Sequence, residues 1–361
     1  MKILLAGGGT AGHVEPALAV ARAWQAKYPT DEILFIGTES GLESALVPAA
    51  GFQLAPIPKV SIARTLSPSL LKVPFQLWRS VSATRALLKG VDCAIGFGGY
   101  VSGPLYIAAT ISRTPFVIHE QNARPGWANR LGARFTRFVA ISFPVKQSEF
   151  RKAELTGLPL RADVIAALAQ AENGWSEARR EAKRQIAERY GLNSSLPLIF
   201  IFGGSQGSQA INSVISSSIE MLTSRGYAIL HGVGKKNEVP QRTDNYLPLS
   251  YIDDMAQCYL AADLLIGRSG AVTCAEAEAL AKYSLFIPLP IGNGEQALNA
   301  QSLVAAGRAR ICEQRDFTAS WLETHIDQLI ATSAQRPDDG SASGAGAADK
   351  IVAMMERAAQ R

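Results

Sequence analysis

One pattern occurs twice along this chain, and it limits the fold more than any other feature. The apolar run Ile3–Ala6 leads into Gly8-Gly9-Thr10-Ala11-Gly12 and then a helical pattern. Leu198–Phe202 leads into Gly203-Gly204-Ser205-Gln206-Gly207 and another helical pattern, 195 residues later. A short apolar strand running into a glycine turn and a helix opens a doubly wound α/β domain. The turn leaves backbone N–H groups facing outward at the carboxyl edge of the sheet. Two openings predict two such domains, and 361 residues are enough to give each its own core.

The stretches between these openings agree. Lys2–Ala6, Glu32–Gly37, Cys93–Gly96, Phe116–His119 and Phe138–Ile141 read as strands in the first half. Leu198–Phe202, Ala228–Gly232, Leu264–Gly267 and Ser284–Pro288 do so in the second. Pro16–Lys27, Ser69–Lys89, Glu177–Tyr190, Gln209–Ser224 and Thr273–Ala281 carry helical patterns between them. That alternation predicts parallel sheets with helices on both faces. The boundary is expected near Gly157-Leu158-Pro159-Leu160, dividing the chain into residues 1–157 and 158–340. Arg336–Asp349 has the small, polar composition of a flexible linker, and a helical tail, 349–361, is left to dock on either domain.

Several loops at strand ends carry chemistry. Gly7, Gly9 and Gly12 spell G-x-G-x-x-G, yet the second strand ends Phe35-Ile36-Gly37-Thr38, without the acidic residue a nicotinamide ribose needs. His13 follows that turn, where a neutral imidazole can take a proton from a hydroxyl near neutral pH; capping the helix is its structural alternative. Gly96–Pro104, with Gly98, Gly99, Tyr100 and Ser102, forms a second anion cradle ahead of a helix. His119-Glu120-Gln121-Asn122 puts four polar side chains at another strand end, too many for a core. In the second half Arg268-Ser269-Gly270-Ala271 precedes a helix that carries Glu276, a carboxylate suited to ribose hydroxyls. Gln296 and Asn299 add amides suited to sugar hydroxyls. Phosphate donors, a ribose acceptor and sugar-reading amides in one domain suggest a nucleotide-sugar pocket. There is no D-x-D, so no metal is expected, and helix dipoles and backbone donors are left to hold a departing diphosphate.

Charge is unevenly divided. The first 160 residues hold 17 Lys and Arg against 9 Asp and Glu, while the rest hold 19 against 22. A basic first half is expected to face something anionic. Pro68–Lys89 interleaves Leu71, Phe75 and Trp78 with Lys72 and Arg79, as a helix lying on an anionic bilayer requires, or as an amphipathic core helix with a solvated basic face. No run is long enough to span a membrane or to act as a secretion signal. Cys93, Cys258, Cys274 and Cys312 have no metal-finger or disulfide spacing, which fits buried thiols in a reducing compartment. A cytoplasmic, peripheral protein is expected.

Taken together, Gly8–His13, Gly98–Pro104, His119–Asn122, Gly203–Gly207, Tyr251–Met255, Arg268–Glu276 and Gln296–Asn299 resemble the bacterial cell-wall glycosyltransferases of family 28. The resemblance runs in order along nearly the whole chain. It implies a GT-B fold, two doubly wound domains facing across a cleft, with the C-terminal helix packing back on the first. It implies an inverting enzyme without a cofactor, moving GlcNAc from UDP-GlcNAc to the C4 hydroxyl of MurNAc in undecaprenyl-diphospho-MurNAc-pentapeptide (lipid I). It further implies His13 as general base, and Thr10, Ala11 and Gly12 beside the donor sugar and diphosphate. Asn122 is implied at the GlcNAc hydroxyls, and Arg161 and Ser205 at the nucleotide or its phosphates. Ile252 would meet uracil beside Tyr251, Ala271, Val272, Thr273, Cys274, Ala275 and Glu276 the diphosphate, sugar and ribose, and Gln296 the GlcNAc. Gly98, Gly99, Tyr100, Ser102, His119 and Glu120 fall to the acceptor loops, and Leu71, Lys72, Phe75, Trp78 and Arg79 to a membrane patch. The implied partners are lipid I, the anionic cytoplasmic face of the plasma membrane and proteins of cell-wall synthesis and division, with no nucleic acid. The chain departs from the family pattern at Ala11, where many members have Gly, at Leu158 in place of Asn, and at Glu295 in place of the first Gln of a pair. The rival readings are a UDP-GlcNAc 2-epimerase of the same fold and a non-catalytic nucleotide-sugar binder at the membrane surface.

Overall fold

A computed structural model describes residues 1–60, 72–145, 150, 152–204, 206–290, 294–336 and 344–360. The chain divides into two compact units, Met1–Arg161 with Gly344–Arg361, and Ala162–Ser343. In the first unit seven parallel strands form one sheet in the order β3-β2-β1-β4-β5-β6-β7. They are β1 (Lys2–Ala6), β2 (Glu32–Gly37), β3 (Gln53–Pro56), β4 (Cys93–Gly96), β5 (Phe116–Glu120), β6 (Val139–Ile141) and β7 (Ala153–Leu155). Its helices are α1 (Ala11–Lys27), α2 (Glu43–Ala49), α3 (Val73–Leu87), α4 (Gly99–Ser112), α5 (Trp127–Gly132) and the C-terminal α15 (Ala347–Ala359).

Both faces of this sheet are buried, and the period of two decides which residue goes where. Ile3, Leu5, Cys93 and Ile95 enter the core on one face, with Trp24 of α1 and Ile351, Val352, Met354 and Met355 of α15. Leu4, Ala6 and Ala94 enter the other, with Leu105 and Tyr106 of α4 and Val81 of α3. The tail helix is thus part of the first unit's core. Its rim is fixed by Glu356, which accepts from Lys27 and from the Tyr28 hydroxyl, and by Arg357, which donates to both oxygens of Glu154 at 2.8 and 2.7 Å. The helix starts at Ala347, inside the segment expected to be linker, because Ala347 and Ala348 are already buried in that core.

The second unit has six parallel strands in the order β10-β9-β8-β11-β12-β13. These are β8 (Leu198–Phe202), β9 (Ala228–Gly232), β10 (Tyr246–Leu249), β11 (Leu264–Gly267), β12 (Ser284–Phe286) and β13 (Ala309–Ile311). Its helices are α6 (Ala162–Glu172), α7 (Trp175–Tyr190), α8 (Gln209–Ser216), α9 (Ile219–Ser224), α10 (Met255–Ala261), α11 (Ala271–Ala279), α12 (Glu295–Asn299), α13 (Gln301–Ala305) and α14 (Ala319–Ala334). The single helix expected over Gln209–Ser224 is two. Ser217 and Ser218 donate their hydroxyls to the carbonyls of Ser213 and Val214, four residues back, at 3.1 and 2.8 Å, a pattern that bends a helix. The expected Ser69–Lys89 helix is described only from Val73.

In each sheet the chain works outward from a central strand and then returns to its other side. The order reverses between β1 and β4 in the first unit and between β8 and β11 in the second. Loops leaving neighbouring strands part at such a point and open a crevice at the carboxyl edge, where doubly wound sheets bind ligands. Both glycine turns of the repeated pattern sit there.

Candidate active site

At the first reversal the loops after β1 and β4 lie against each other. Gly98 and Gly99 have φ of 83° and 73°, and a Cβ on Gly99 would stand 2.6 Å from the carbonyl oxygen of Gly8, so only glycine lets the loops meet. The His13 ring sits at this junction in the first turn of α1, with Gly98 packed against its Cδ2 and Nε2 edge. Thr10, the N-cap residue of α1, places its Oγ1 3.0 Å from His13 Nδ1. If Nδ1–H donates to Thr10, the lone pair of Nε2 is left for a substrate proton. His13 is partly open to solvent, yet burial pushes its imidazole down to about 4, against an upward pull from the Glu43 carboxylate. The ring is neutral at neutral pH, as a base must be.

The strand end His119–Asn122 is held by its own side chains. His119, fully buried, has Gln121 Nε2 3.3 Å from Nδ1 and Ser142 Oγ 3.1 Å from Nε2. Glu120 is 2% exposed and accepts from the amides of Asn122 and Gly126 and from Asn129 Nδ2 at 2.9–3.0 Å. Burial raises its carboxyl above the ordinary range, with these donors opposing. Both side chains therefore shape the loop, with the half-buried Asn122 at its rim. Ser102 is likewise internal, donating to Gly98 O at 2.8 Å, and Tyr100 donates to Glu43 at 2.7 Å.

At the second reversal the glycine turn closes on the loop after β9. Gly207 has φ of 74°, and a Cβ there would meet the Val233 carbonyl at 2.0 Å. Asn237 ties the two loops by donating to Gln206 O and Val233 O at 3.1 and 2.7 Å. Gly270 caps α11 with extended backbone, so the amides of Ala271, Val272 and Thr273 have no partner within the helix, an arrangement that favours an anion. Val272, Thr273 and Ala275 are partly open, while Ala271, Cys274 and Glu276 are buried. The buried Ser269 hydroxyl beside them has no hydrogen-bond partner among the described residues. Gln296 Oε1 accepts from the Leu289 amide at 3.0 Å. Ile252 is buried, and Lys235 lies 4.0 Å over the exposed Tyr251 ring. Arg161 ends the first unit's main segment and is partly buried. Ser205 and Leu71 lie outside the described residues.

One residue beside these loops has no signal in the sequence, and another has a part there that its motif does not show. Glu43 opens α2 away from every glycine turn, and only its burial marks it out. Arg268, 8% exposed, donates to Ile287 O, Pro288 O, Ser208 Oγ and Gln314 Oε1 at 2.7–3.2 Å. Its place before Gly270 was visible, but not its burial among neutral acceptors.

Two buried imidazoles make the protein acid-sensitive. Burial pushes His119 down to about 3 and His231 down to about 4. In the unfolded chain each titrates near 6.5, so below that pH unfolding takes up protons that the native rings refuse. Unfolding free energy should fall by about 1.4 kcal/mol per pH unit for each ring as pH drops below about 6.5, levelling off near the folded values. Urea unfolding of the full chain at pH 7 and pH 5 checks this. A midpoint that does not fall means the native rings are protonated after all.

The glycosyltransferase family 28 N-terminal domain matches residues 3–141 and its C-terminal domain residues 198–354. A protein of Streptomyces coelicolor named UDP-N-acetylglucosamine--N-acetylmuramyl-(pentapeptide) pyrophosphoryl-undecaprenol N-acetylglucosamine transferase is 44% identical, over 92% of this chain and 90% of its own. A Corynebacterium glutamicum protein of the same name is 41% identical, over 98% and 97%. Among solved structures, Acinetobacter baumannii MurG is similar with a TM-score of 0.68 and 27% identity, covering 99% of each chain. The glycotransferase of kitacinnamycin, at 13% identity and a TM-score of 0.65, shares the fold. With both domains matched and such relatives along nearly its whole length, this chain belongs to glycosyltransferase family 28.

Proposed function

We propose that this protein transfers N-acetylglucosamine from UDP-N-acetylglucosamine to the MurNAc C4 hydroxyl of undecaprenyl-diphospho-MurNAc-pentapeptide, with inversion. One observation carries the reading: relatives named for that transfer match at 41–44% identity over 92% or more of the chain. The site chemistry supports it. The acceptor hydroxyl attacks C1 of the donor sugar from the side opposite UDP, the new C1–O bond forms, and the bond from C1 to the diphosphate breaks. His13 Nε2 takes the hydroxyl proton, while the α11 amides and the glycine turn after β8 receive the charge on departing UDP. Glu276 serves the ribose, Gln296 and Asn122 the sugar, and Ile252 the uracil.

The test supplies labelled UDP-N-acetylglucosamine with a short-chain lipid I analogue and analyses products. A β-linked disaccharide on the lipid is expected. Epimerised or unconsumed donor in the presence of acceptor would end this reading in favour of its rivals.

The acceptor is tied to a membrane, and α3 supports a peripheral contact with the anionic cytoplasmic face. Ser80, Val81 and Thr84 face inward, while Phe75 and Trp78 are 61% and 65% exposed, stacked with centroids 6.1 Å apart. Arg79 lies 5.9 Å from the Phe75 ring, and Lys72, Arg85 and Lys89 are exposed on the same helix or beside its ends. Among the described residues no helix is long and apolar enough to cross a membrane. Trp78→Glu should weaken binding to phosphatidylglycerol vesicles roughly tenfold or more and leave turnover of a water-soluble acceptor unchanged. Equal vesicle binding by the variant would remove α3 from the contact.

A further inference from the structure

Glu43 is a carboxylate with no exposed surface, and each of its hydrogen-bond donors among the described residues is neutral. Its Oε2 accepts from the Gly9 amide at 2.9 Å. Its Oε1 accepts from the Thr38 amide at 3.0 Å, the Thr38 hydroxyl at 3.1 Å and the Tyr100 hydroxyl at 2.7 Å. A buried charge with four neutral donors and, among the described residues, no cation bonded to it is costly unless something uses it. The donors show what it holds. Gly9, with φ of 95°, immediately precedes Thr10, whose hydroxyl meets His13 Nδ1. Tyr100 follows Gly98 and Gly99, which flank the His13 ring. One carboxylate thus ties both loops around the imidazole.

We infer that Glu43 is a positioning residue for His13: it fixes the two loops that orient the ring and supplies the negative charge that stabilises the imidazolium formed during transfer. The inference rests on the reading of His13 as general base. Glu43 takes no proton itself. Burial pushes its carboxyl up, but the amides of Gly9, Thr38 and Glu43 and the Tyr100 hydroxyl bring it below the ordinary value, so it stays ionised. Tyr100 is pushed up to about 12, chiefly by burial, and remains a donor. Among the described residues the other titratable groups around this corner are His119, neutral and buried, Lys59, whose ammonium lies 5.6 Å over the Tyr100 ring, and Glu120, which accepts from Asn129 Nδ2 beside Gly98. Burial raises the Glu120 carboxyl, whereas the upward pull on the His13 ring comes from Glu43. When His13 becomes cationic, Glu43 is the anion that faces it.

The experiment compares Glu43→Gln, Glu43→Asp, His13→Ala and the Glu43→Gln/His13→Ala double variant in the full chain. It measures kcat and donor KM with a lipid I analogue across pH, and UDP binding as a check of folding. Glu43→Gln should lose roughly tenfold to a hundredfold in kcat, a part of what a general base supplies, with donor KM within about twofold. Its acid limb should move to lower pH, because the pull that raises His13 is gone. Glu43→Asp keeps the charge and should recover part of kcat and the original limb. In the His13→Ala background Glu43→Gln should cost little more, since it acts through the ring. An equal loss in both backgrounds, or an unchanged acid limb, overturns the inference. Near-normal turnover of His13→Ala instead overturns the base reading. If Glu43→Gln fails to bind UDP or to fold, Thr38→Val, which deletes one donor, takes its place. A loss confined to kcat, of a fewfold, is expected there, and unchanged kcat counts against Glu43.

Discussion

Replacing His13 with alanine is expected to lower turnover by about a hundredfold to ten-thousandfold, the range of a positioned general base, while UDP-N-acetylglucosamine binding stays within about twofold. The split follows from where the residue sits. Its ring lies at the junction of the loops after β1 and β4, whereas Ile252, Glu276 and the α11 amides, proposed for the uracil, ribose and departing diphosphate, belong to the second unit. The pH profile adds an independent check. With the ring pushed down to about 4, the acid limb of kcat/KM, which reports the free enzyme, should lie near pH 4 and not near 6.5. A diphosphate-bearing acceptor brings negative charge to the ring and favours its protonated form. The limb of kcat, which reports the complex, should therefore lie higher. Stopped-assay rates with a short-chain acceptor between pH 4 and 9 measure both. Turnover near that of the native protein in His13→Ala, or coincident limbs near 6.5, would move the base elsewhere.

The fold was legible where strands are buried on both faces. Lys2–Ala6, Glu32–Gly37, Cys93–Gly96, Leu198–Phe202, Ala228–Gly232 and Leu264–Gly267 are continuous apolar runs and occupy the interior of their sheets with the bounds their patterns gave. The four strands that went unread, β3, β7, β10 and β13, are the four sheet edges. An edge strand pairs on one side only, so it needs no apolar run and carries the charges and prolines that discourage further pairing. Glu154 and Leu155 of β7 are exposed, Gln53 and Pro56 of β3 likewise, and β10 contains Pro248. Their sequences look like loops for that reason.

The site divides in the same way. Residues that present backbone, such as Gly98, Gly99, Gly207 and Gly270, were readable because glycine before a helix has few other uses. Polar side chains were readable as a group but not by role. His119 and Glu120 look like ligand contacts in sequence; both are buried, the His119 ring against Gln121 and Ser142, and the Glu120 carboxylate accepting from Asn122 and Asn129. Glu43 sits in an ordinary amphipathic segment, and nothing local distinguishes it from a solvated helix carboxylate. Its partners Gly9, Thr38 and Tyr100 come from three other segments. A function defined by such convergence has no local signature.

Arg268→Met is the change expected to damage donor use most. The guanidinium is buried at the reversal between β8 and β11, and burial pulls its pKa below the ordinary value. It still carries its charge, since arginine does not deprotonate in proteins. Its four hydrogen bonds go to two carbonyls, a hydroxyl and an amide, and no carboxylate is among them. Such a cation is poorly compensated until an anion arrives, and the adjoining amides of α11 define where a diphosphate would sit. Charge left unbalanced in the free protein becomes attraction for the donor, and in transfer it favours departure of UDP. Arg268→Met should raise donor KM roughly a hundredfold, as truncating a buried charge at a binding site does, and lower kcat as well. Arg268→Lys should recover only part, because one ammonium cannot reach four acceptors in the planar fork's geometry. Stability separates this from simple misfolding. UDP should raise the melting temperature of the native protein through linkage; Arg268→Met should melt lower without ligand, because four acceptors lose their donor, and should in addition lose the UDP-induced rise, which a purely structural loss would leave in place. A variant that keeps both native donor KM and the UDP-induced rise would reduce Arg268 to a strut between β12 and the turn after β8.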